Sequence, residues 1–518
     1  HQNIVINAGG KFIILAPETD EIIQGLQKIQ KESDALFYSE FLGSISLNLD
    51  WNTKIRLQDL HQNHLAITLK RLFDSLETQK QARFKSRLTA QSDSGVQWDP
   101  KSFIVNQEKI TNDQLCPYCN RRKSDHSDSC HICSQEINLG KNLPKKHCVA
   151  IARSKQPNAM ISLGDTALYL LCSDDISAFK NRMQKENTDY FIYFYKRTEK
   201  NKKLISRSIA FPYKATAAYI PTDEEGEIID FEDLAGQSSI RWDNGKQSGL
   251  SANAIIKGDV DNLGTIFQKG ILLKDDKLSL ARYISCSSLI DFFFSEYIPY
   301  LLENESAEFN GKEIIFNTLY TVYTGGDDFC LIGPWLTVLL FANRLKQDFA
   351  LFTCNNPEVH FSCGIELMHG KSPAKYFIEK TDEALEKAKK IKHTFKHKTV
   401  SKNSVFVFDT IVPWDEFDDM LNEAETYFRY LNTQNTKGYT TQFIYRMFQY
   451  HDSYMKVNYP EKSEKTDMRN YLYSALLAYD LKRNFKKEDP AYEKISKFIQ
   501  FDNKTVKTDY FRLMKAIN

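Results

Sequence analysis

The chain has 518 residues, 68 of them Lys or Arg and 67 Asp or Glu, for a formal net charge of +1. That length exceeds what one hydrophobic core supports and suits three or four domains. The charge balance excludes a chain-wide nucleic-acid surface, so any polyanion site is local. No apolar run is long enough to span a membrane and no signal peptide opens the chain, so the expected location is cytoplasmic, with no membrane partner. Ten cysteines in such a chain point to metal or buried thiols before disulfides.

In chain order, the stretch INAGGKFIILAPETDEIIQGLQKIQ from Ile6 reads as strand, Gly9-Gly10 turn, strand opened by Lys11, proline and amphipathic helix. FLGSISLNL, Phe41 to Leu49, then alternates as a strand. The same order recurs from Val322 as VYTGGDDFCLIGPWLTVLLFANRLK, followed by VHFSCGIEL, Val359 to Leu367. Both copies fit the ferredoxin-like βαββαβ order, and the shared Gly-Gly, aromatic and proline favour duplication over coincidence. In the first copy Lys11 replaces the two aspartates, so it holds no metal, although Gly9, Gly10 and Lys11 remain able to meet a phosphate or sugar. This copy, residues 1–110, lacks an interior strand. The expectation is that an upstream segment or a separate chain supplies it and covers apolar edges at Ile13 to Leu15 and Ile45 to Leu49.

Residues 111–150 carry CPYCNRRKSDHSDSCHIC, with Cys116, Cys119, Cys130 and Cys133 as two C-x-x-C knuckles. Four thiolates on polar, turn-rich loops suit tetrahedral Zn²⁺, and a closed shell makes that zinc structural. Residues 151–250 are read as a linker or adaptor region.

NAIIKGDVDNLGTIF, Asn253 to Phe267, is a buried strand over 254–259 running into Asp259-Val260-Asp261 and a helix start. A helix over 280–298, a hairpin tipped by Gly325, Gly326, Asp327 and Asp328, a helix over 335–350 and a strand over 359–367 complete the second copy, residues 251–412. Gly-Gly-Asp-Asp makes a good turn by itself. Two adjacent carboxylates beside a third at a strand end add a second meaning, because acids crowded without a cation repel one another. Mg²⁺ or Mn²⁺ on Asp259, Asp327 and Asp328 would hold a nucleoside triphosphate for nucleotidyl transfer. Asp261 is set apart as a weaker candidate, on strand alternation.

The spacing predicts a helix over 374–395 with an apolar seam at Phe377, Ala384, Ala388, Ile391 and Phe395. Its lysines read mainly as a solvated face, with Lys389 and Lys402 as the pair that would reach a triphosphate. A strand over 404–409 follows. Residues 413–518 read as a helical docking domain, in which His451-Asp452 is a surface accident.

AGGKFIILAP, the four-cysteine insert, AAYIPT (Ala217 to Thr222), KGDVDNLG, GGDDFCLIGPW and AKKIK with KNSVFVF, in that order, resemble the large signature subunit of type III-A CRISPR (Csm) interference complexes, the Cas-ten family. The resemblance implies an α+β chain with two ferredoxin-like palm domains, a zinc-ribbon-like insert and a C-terminal helical domain. It implies conversion of ATP to cyclic oligoadenylate when the complex holds target RNA, with other Csm subunits, CRISPR RNA and target RNA as partners. By position Asp259, Asp327 and Asp328 match the metal-binding acids, with Gly325 and Gly326 beside the nucleotide. Family members usually open with an HD nuclease domain; nothing here matches it, so HD-type DNA cleavage by this chain is not expected. Two other readings stand beside this one, a GGDEF-like cyclase using GTP and a non-catalytic scaffold of an RNA-guided complex.

Overall fold

The computed structural model describes residues 4–8, 11–92, 95–99, 115–124, 129–153, 159–163, 165–195, 219–238, 240–241, 247–248, 250–273, 277–368, 374–390, 392–395, 398–432, 441–458, 467–485 and 487. The chain forms two compact units, His1–Ala218 with Asn262–Glu296, and Tyr219–Asp261 with Tyr297–Asn518. Among the described residues no helix is long and apolar enough to cross a membrane.

The first unit opens with an antiparallel hairpin, β1 (Ile4–Ala8) and β2 (Lys11–Ile14), closed by the pair Ala8 and Lys11. Gly9 and Gly10 lie outside the described residues. Helix α1 (Asp20–Phe41) starts at Thr19, whose hydroxyl accepts a bond from Ile22 N, and Asp20 and Glu21 complement its N-terminal dipole. Residues 45–49 are not a strand, contrary to their alternating pattern. Their backbone is bonded by a side chain instead, since Gln30 of α1 donates to Leu47 O at 2.7 Å and accepts from Leu49 N at 2.9 Å. Alternation predicts which side chains share a face, but a strand also needs a neighbour for its ladder.

Helix α2 (Leu65–Gln81) supplies Leu65 and Leu69 to a core shared with Ile6, Ile13, Ile271, Leu278 and Tyr283. The helix Leu280–Phe292, assigned by sequence to the second copy, therefore groups with this unit as far as Glu296. Its apolar side and the preceding Leu278 complete the cluster around Leu65.

Helix α3 (His131–Asn142), capped by Cys130 and carrying Cys133, is followed by strands β3 (Cys148–Ala152), β4 (Ile161–Leu163), β5 (Thr166–Leu171) and β6 (Tyr190–Phe194), with α4 (Ile176–Lys185) between the last two. The strands form one antiparallel sheet in the order β4-β5-β3-β6. Cys148, Ala150, Ala152 and Ala167 leave room for Ile176, Phe179 and Met183 to bury against the sheet. Much of the region read as a linker is thus a sheet with its own core.

The second unit is built on a six-stranded sheet in the order β8-β9-β7-β10-β13-β14. Its strands are β7 (Asn253–Val260), β8 (Tyr320–Gly325), β9 (Asp328–Pro334), β10 (Phe361–Met368), β13 (Ser404–Val407) and β14 (Thr410–Pro413). Taken in chain order, the first four realise the ferredoxin-like arrangement 4-1-3-2, and β13 joins β10 in parallel. Period-two alternation splits β7 into two faces. Ala254, Ile256, Gly258 and Val260 lie on one, while Ile255, Lys257 and Asp259 lie on the other, where Ile255 packs with Cys330, Ile332 and Phe377. Helix α5 (Trp335–Phe352) is buried nearly throughout its first two turns. Helix α6 (Ala374–Ala388) lies on β10 through Thr381, Ala384 and Leu385. Gly364 permits that approach: a Cβ there would stand 2.5 Å from Leu385 N and 2.6 Å from Thr381 O.

The predicted helix over 374–395 stops at Ala388. Residues 392–395 and 398–401 instead form a hairpin, β11 and β12. Thr394, Thr399 and Val400 favour extended backbone there. Helices α7 (Trp414–Asn432), α8 (Thr441–Asn458) and α9 (Tyr473–Asn484) follow the sheet among the described residues. Asp452 on α8 is exposed and pairs with Lys456 one turn on, as a surface residue does.

Candidate active site and metal centre

The acids converge because of strand register. Asp259, near the end of β7, lies opposite Asp328, the first residue of β9, and Val260 N donates to Asp327 O at 3.1 Å. The hairpin needs its glycines: Gly325 has φ 149° and Gly326 φ 69°, conformations that side chains disfavour. They turn the chain so that Asp327 and Asp328 leave the tip beside the β7 terminus.

Burial pushes the Asp328 carboxyl up to about 6, helped by the neighbouring charges of Asp327 and Asp259 and opposed by Lys257. An acid raised by other acids is a site short of positive charge. Hard carboxylate oxygens of this kind suit Mg²⁺ or Mn²⁺. The three aspartates are nevertheless not gathered to ligand distance: among the described residues, only the four cysteines form such a group.

Two lysines stand on the same side of the sheet. Lys389, just past the end of α6, puts its Nζ 2.5 Å from Asp259 Oδ2 and 3.7 Å from Glu386 Oε1. Burial lowers its pKa, but the bond and charge of Asp259 prevail and hold it above the ordinary lysine value. Lys257 on β7 pairs with Asp382 of α6 and faces the Tyr323 ring.

Asp261 was set apart on the wrong ground. Residues 259 and 261 share one face by alternation; what separates them is that β7 ends at Val260. Asp261 is fully buried, and its Oδ2 accepts bonds from Ser362 Oγ at 2.8 Å and Asn403 N at 3.1 Å, with His360 Nδ1 at 2.7 Å. It ties the end of β7 to the start of β10 and to the turn at Lys402 and Asn403, both of which have positive φ. Lys402 is therefore held at that turn, beside the residue fixed by Asp261. In the sequence only the DVD spacing hinted at Asp261, and nothing marked His360 or Asn403 as its partners.

Lys11, on the first hairpin, is exposed with its Nζ 5.8 Å from the centre of the Phe73 ring. At the second centre, the sulfur atoms of Cys116, Cys119, Cys130 and Cys133 all lie within 4.8 Å of one another, a group able to hold one metal ion. Asn120 closes the first knuckle with φ 49°, its N bonded to Cys116 O at 2.9 Å, and Cys130 N donates to Cys116 Sγ at 3.3 Å. Burial raises the Cys116 thiol, but the surrounding backbone amides bring it down to about 6, whereas Cys133 is pushed up by burial and by the other cysteines. Four thiols so crowded would be stabilised by releasing protons to solvent and binding a thiophilic dication as thiolates.

A ferredoxin-like sheet with an acid at a strand end beside a Gly-Gly-Asp-Asp hairpin defines a palm domain. Residues 252–399 match the family model of the Cas10/Cmr2 second palm domain, and residues 1–94 match that of Csm1 subunit domain B. These matches make the chain similar to the Cas10/Csm1 large subunit of type III-A CRISPR systems. The chain is 26% identical over 446 residues to a CRISPR system single-strand-specific deoxyribonuclease Cas10/Csm1 of Methanocaldococcus jannaschii, an alignment covering 80% of this chain and 53% of that protein. This chain thus spans about half the length of that relative. Its fold also matches two solved Csm1-Csm4 cassettes, one in complex with cA4 and one with one ATP. Each gives a TM-score of 0.65 at 18% identity, covering 100% of this chain and 63% of theirs.

Proposed function

We propose that this chain is the nucleotidyl-transfer subunit of a type III-A CRISPR effector, joining ATP into cyclic oligoadenylate at the GGDD palm when the assembled complex holds target RNA. The observation that carries this reading is the placement of Asp259 opposite Asp328 at the mouth of the palm sheet. The Csm1-Csm4 cassettes with ATP and with cA4 support it, because they share this fold. Asp259, Asp327 and Asp328 are the residues that would hold Mg²⁺ or Mn²⁺. Held there, such ions would supply a lowered pKa for an attacking hydroxyl and positive charge for departing pyrophosphate.

The chain's own groups do the rest. Gly325 and Gly326 keep side chains away from the hairpin tip, so a nucleotide can lie against the backbone. Lys389 and Lys402 supply positive charge for the triphosphate, and Lys257 balances the acids from beneath. Asp261 positions the β7 end and the Lys402 turn. Gly9, Gly10 and Lys11 of the first palm, residues 1–110, serve a second nucleotide. Cys116, Cys119, Cys130 and Cys133 hold a structural Zn²⁺. Residues 413–518 form a helical docking domain toward other Csm subunits, and CRISPR RNA and target RNA complete the cytoplasmic particle.

Labelled ATP and GTP, each supplied to the assembled complex with and without target RNA, test this assignment. RNA-dependent oligomers from ATP are expected. A product from GTP alone would transfer the site to a GGDEF-like cyclase, and no product from either would leave a scaffold.

A further inference from the structure

Lys389 has a place in the site that a triphosphate contact alone does not explain. Its Nζ lies 2.5 Å from Asp259 Oδ2, on the carboxylate assigned to the metal, and its side chain is only 18% exposed. The rest of the residue is fixed: Lys389 N bonds Leu385 O at 3.0 Å, and Ser404 Oγ donates to Ala388 O at 2.7 Å. The ammonium is thus the movable end of an anchored stem, with three donors and four carbons of reach. Glu386 Oε1, at 3.7 Å and on an exposed side chain, offers it another partner.

Resting on the metal-dependent reading of Asp259, we infer that Lys389 is a built-in competitor for the divalent cation. It occupies Asp259 until nucleotide arrives, and then exchanges that carboxylate for the triphosphate. A lysine and a dication cannot both take the same carboxylate oxygen, so binding of metal alone includes breaking a charge-assisted hydrogen bond. A nucleotide that brings metal and phosphate together returns a partner to the ammonium as the metal takes its own. The device disfavours loading by metal alone and favours loading by metal with nucleotide. It also fits the looseness of the acid cluster, in which the three aspartates stay short of a common ligand distance.

The test is Mn²⁺ binding to zinc-loaded full-length protein without nucleotide, followed by electron paramagnetic resonance, in the parent, Lys389→Met, Lys389→Arg and Asp259→Asn. Thermal unfolding of each variant checks the fold. Competition predicts that Lys389→Met tightens binding of Mn²⁺ alone by about tenfold, that Lys389→Arg stays near the parent, and that Lys389→Met weakens binding of a non-hydrolysable ATP analogue. Unchanged or weaker Mn²⁺ binding by Lys389→Met would overturn the inference while leaving the metal-dependent reading intact. Mn²⁺ binding insensitive to Asp259→Asn would overturn both.

Discussion

Replacing Asp328 by Asn removes one charge from the acid cluster and should stabilise the metal-free fold at neutral pH. Burial, together with Asp327 and Asp259, lifts this carboxyl from an ordinary 3.8 to about 6. The folded chain therefore keeps the proton where the unfolded chain has lost it. Stability contributed by the group declines as pH rises from about 4 to about 6, and the penalty persists above that window. A rise of this size corresponds to at most about 3 kcal/mol, and partial exposure reduces it to about 1 kcal/mol. For a unit of this size that is a melting shift of about 2–4 °C. The assay is thermal unfolding of zinc-loaded Asp328→Asn and parent protein across pH 4 to pH 8 without Mg²⁺ or Mn²⁺, read through buried Trp335 and Trp414. Asp328→Asn should melt higher at pH 8 and together with the parent near pH 4, and added Mg²⁺ should raise only the parent. A variant that melts at or below the parent at pH 8, or a difference that persists unchanged at pH 4, would refute the electrostatic reasoning.

The cysteine centre should contain about one Zn²⁺ per chain, and Cys116→Ser with Cys119→Ser should lose it and gain protease cleavage near that insert; stoichiometric zinc in the double variant contradicts the assignment. Lys11→Glu should weaken ATP binding more than Mn²⁺ binding in calorimetry, and equal nucleotide affinity would make the first copy architectural. Gly364→Ala should cost about 1–3 kcal/mol in denaturant unfolding, because its Cβ would meet the α6 backbone at 2.5 Å and 2.6 Å. A neutral result would mean that α6 is free to shift, and with it the placement of Lys389.

The second palm was legible because its signals agree. Apolar strands, the glycine pair that a positive-φ turn requires and an amphipathic helix all point to one topology, and the observed sheet order follows. The cysteine spacing was equally direct. Residues 45–49 were misread because alternation says nothing about whether a neighbouring strand is there, and Gln30 bonds their backbone instead. The lysine-rich run after Ala388 was misread because helical periodicity was extended past the last buried turn. The Asp261 partners come from positions about a hundred or more residues away, a proximity that only the sheet creates.

The central claim rests on Asp327 and Asp328, so the most direct test is synthesis of oligoadenylate from labelled ATP by the assembled, target-bound complex carrying Asp327→Ala with Asp328→Ala. The account predicts that product disappears while the variant still folds, holds zinc and enters the complex. Product at the parental rate would contradict it.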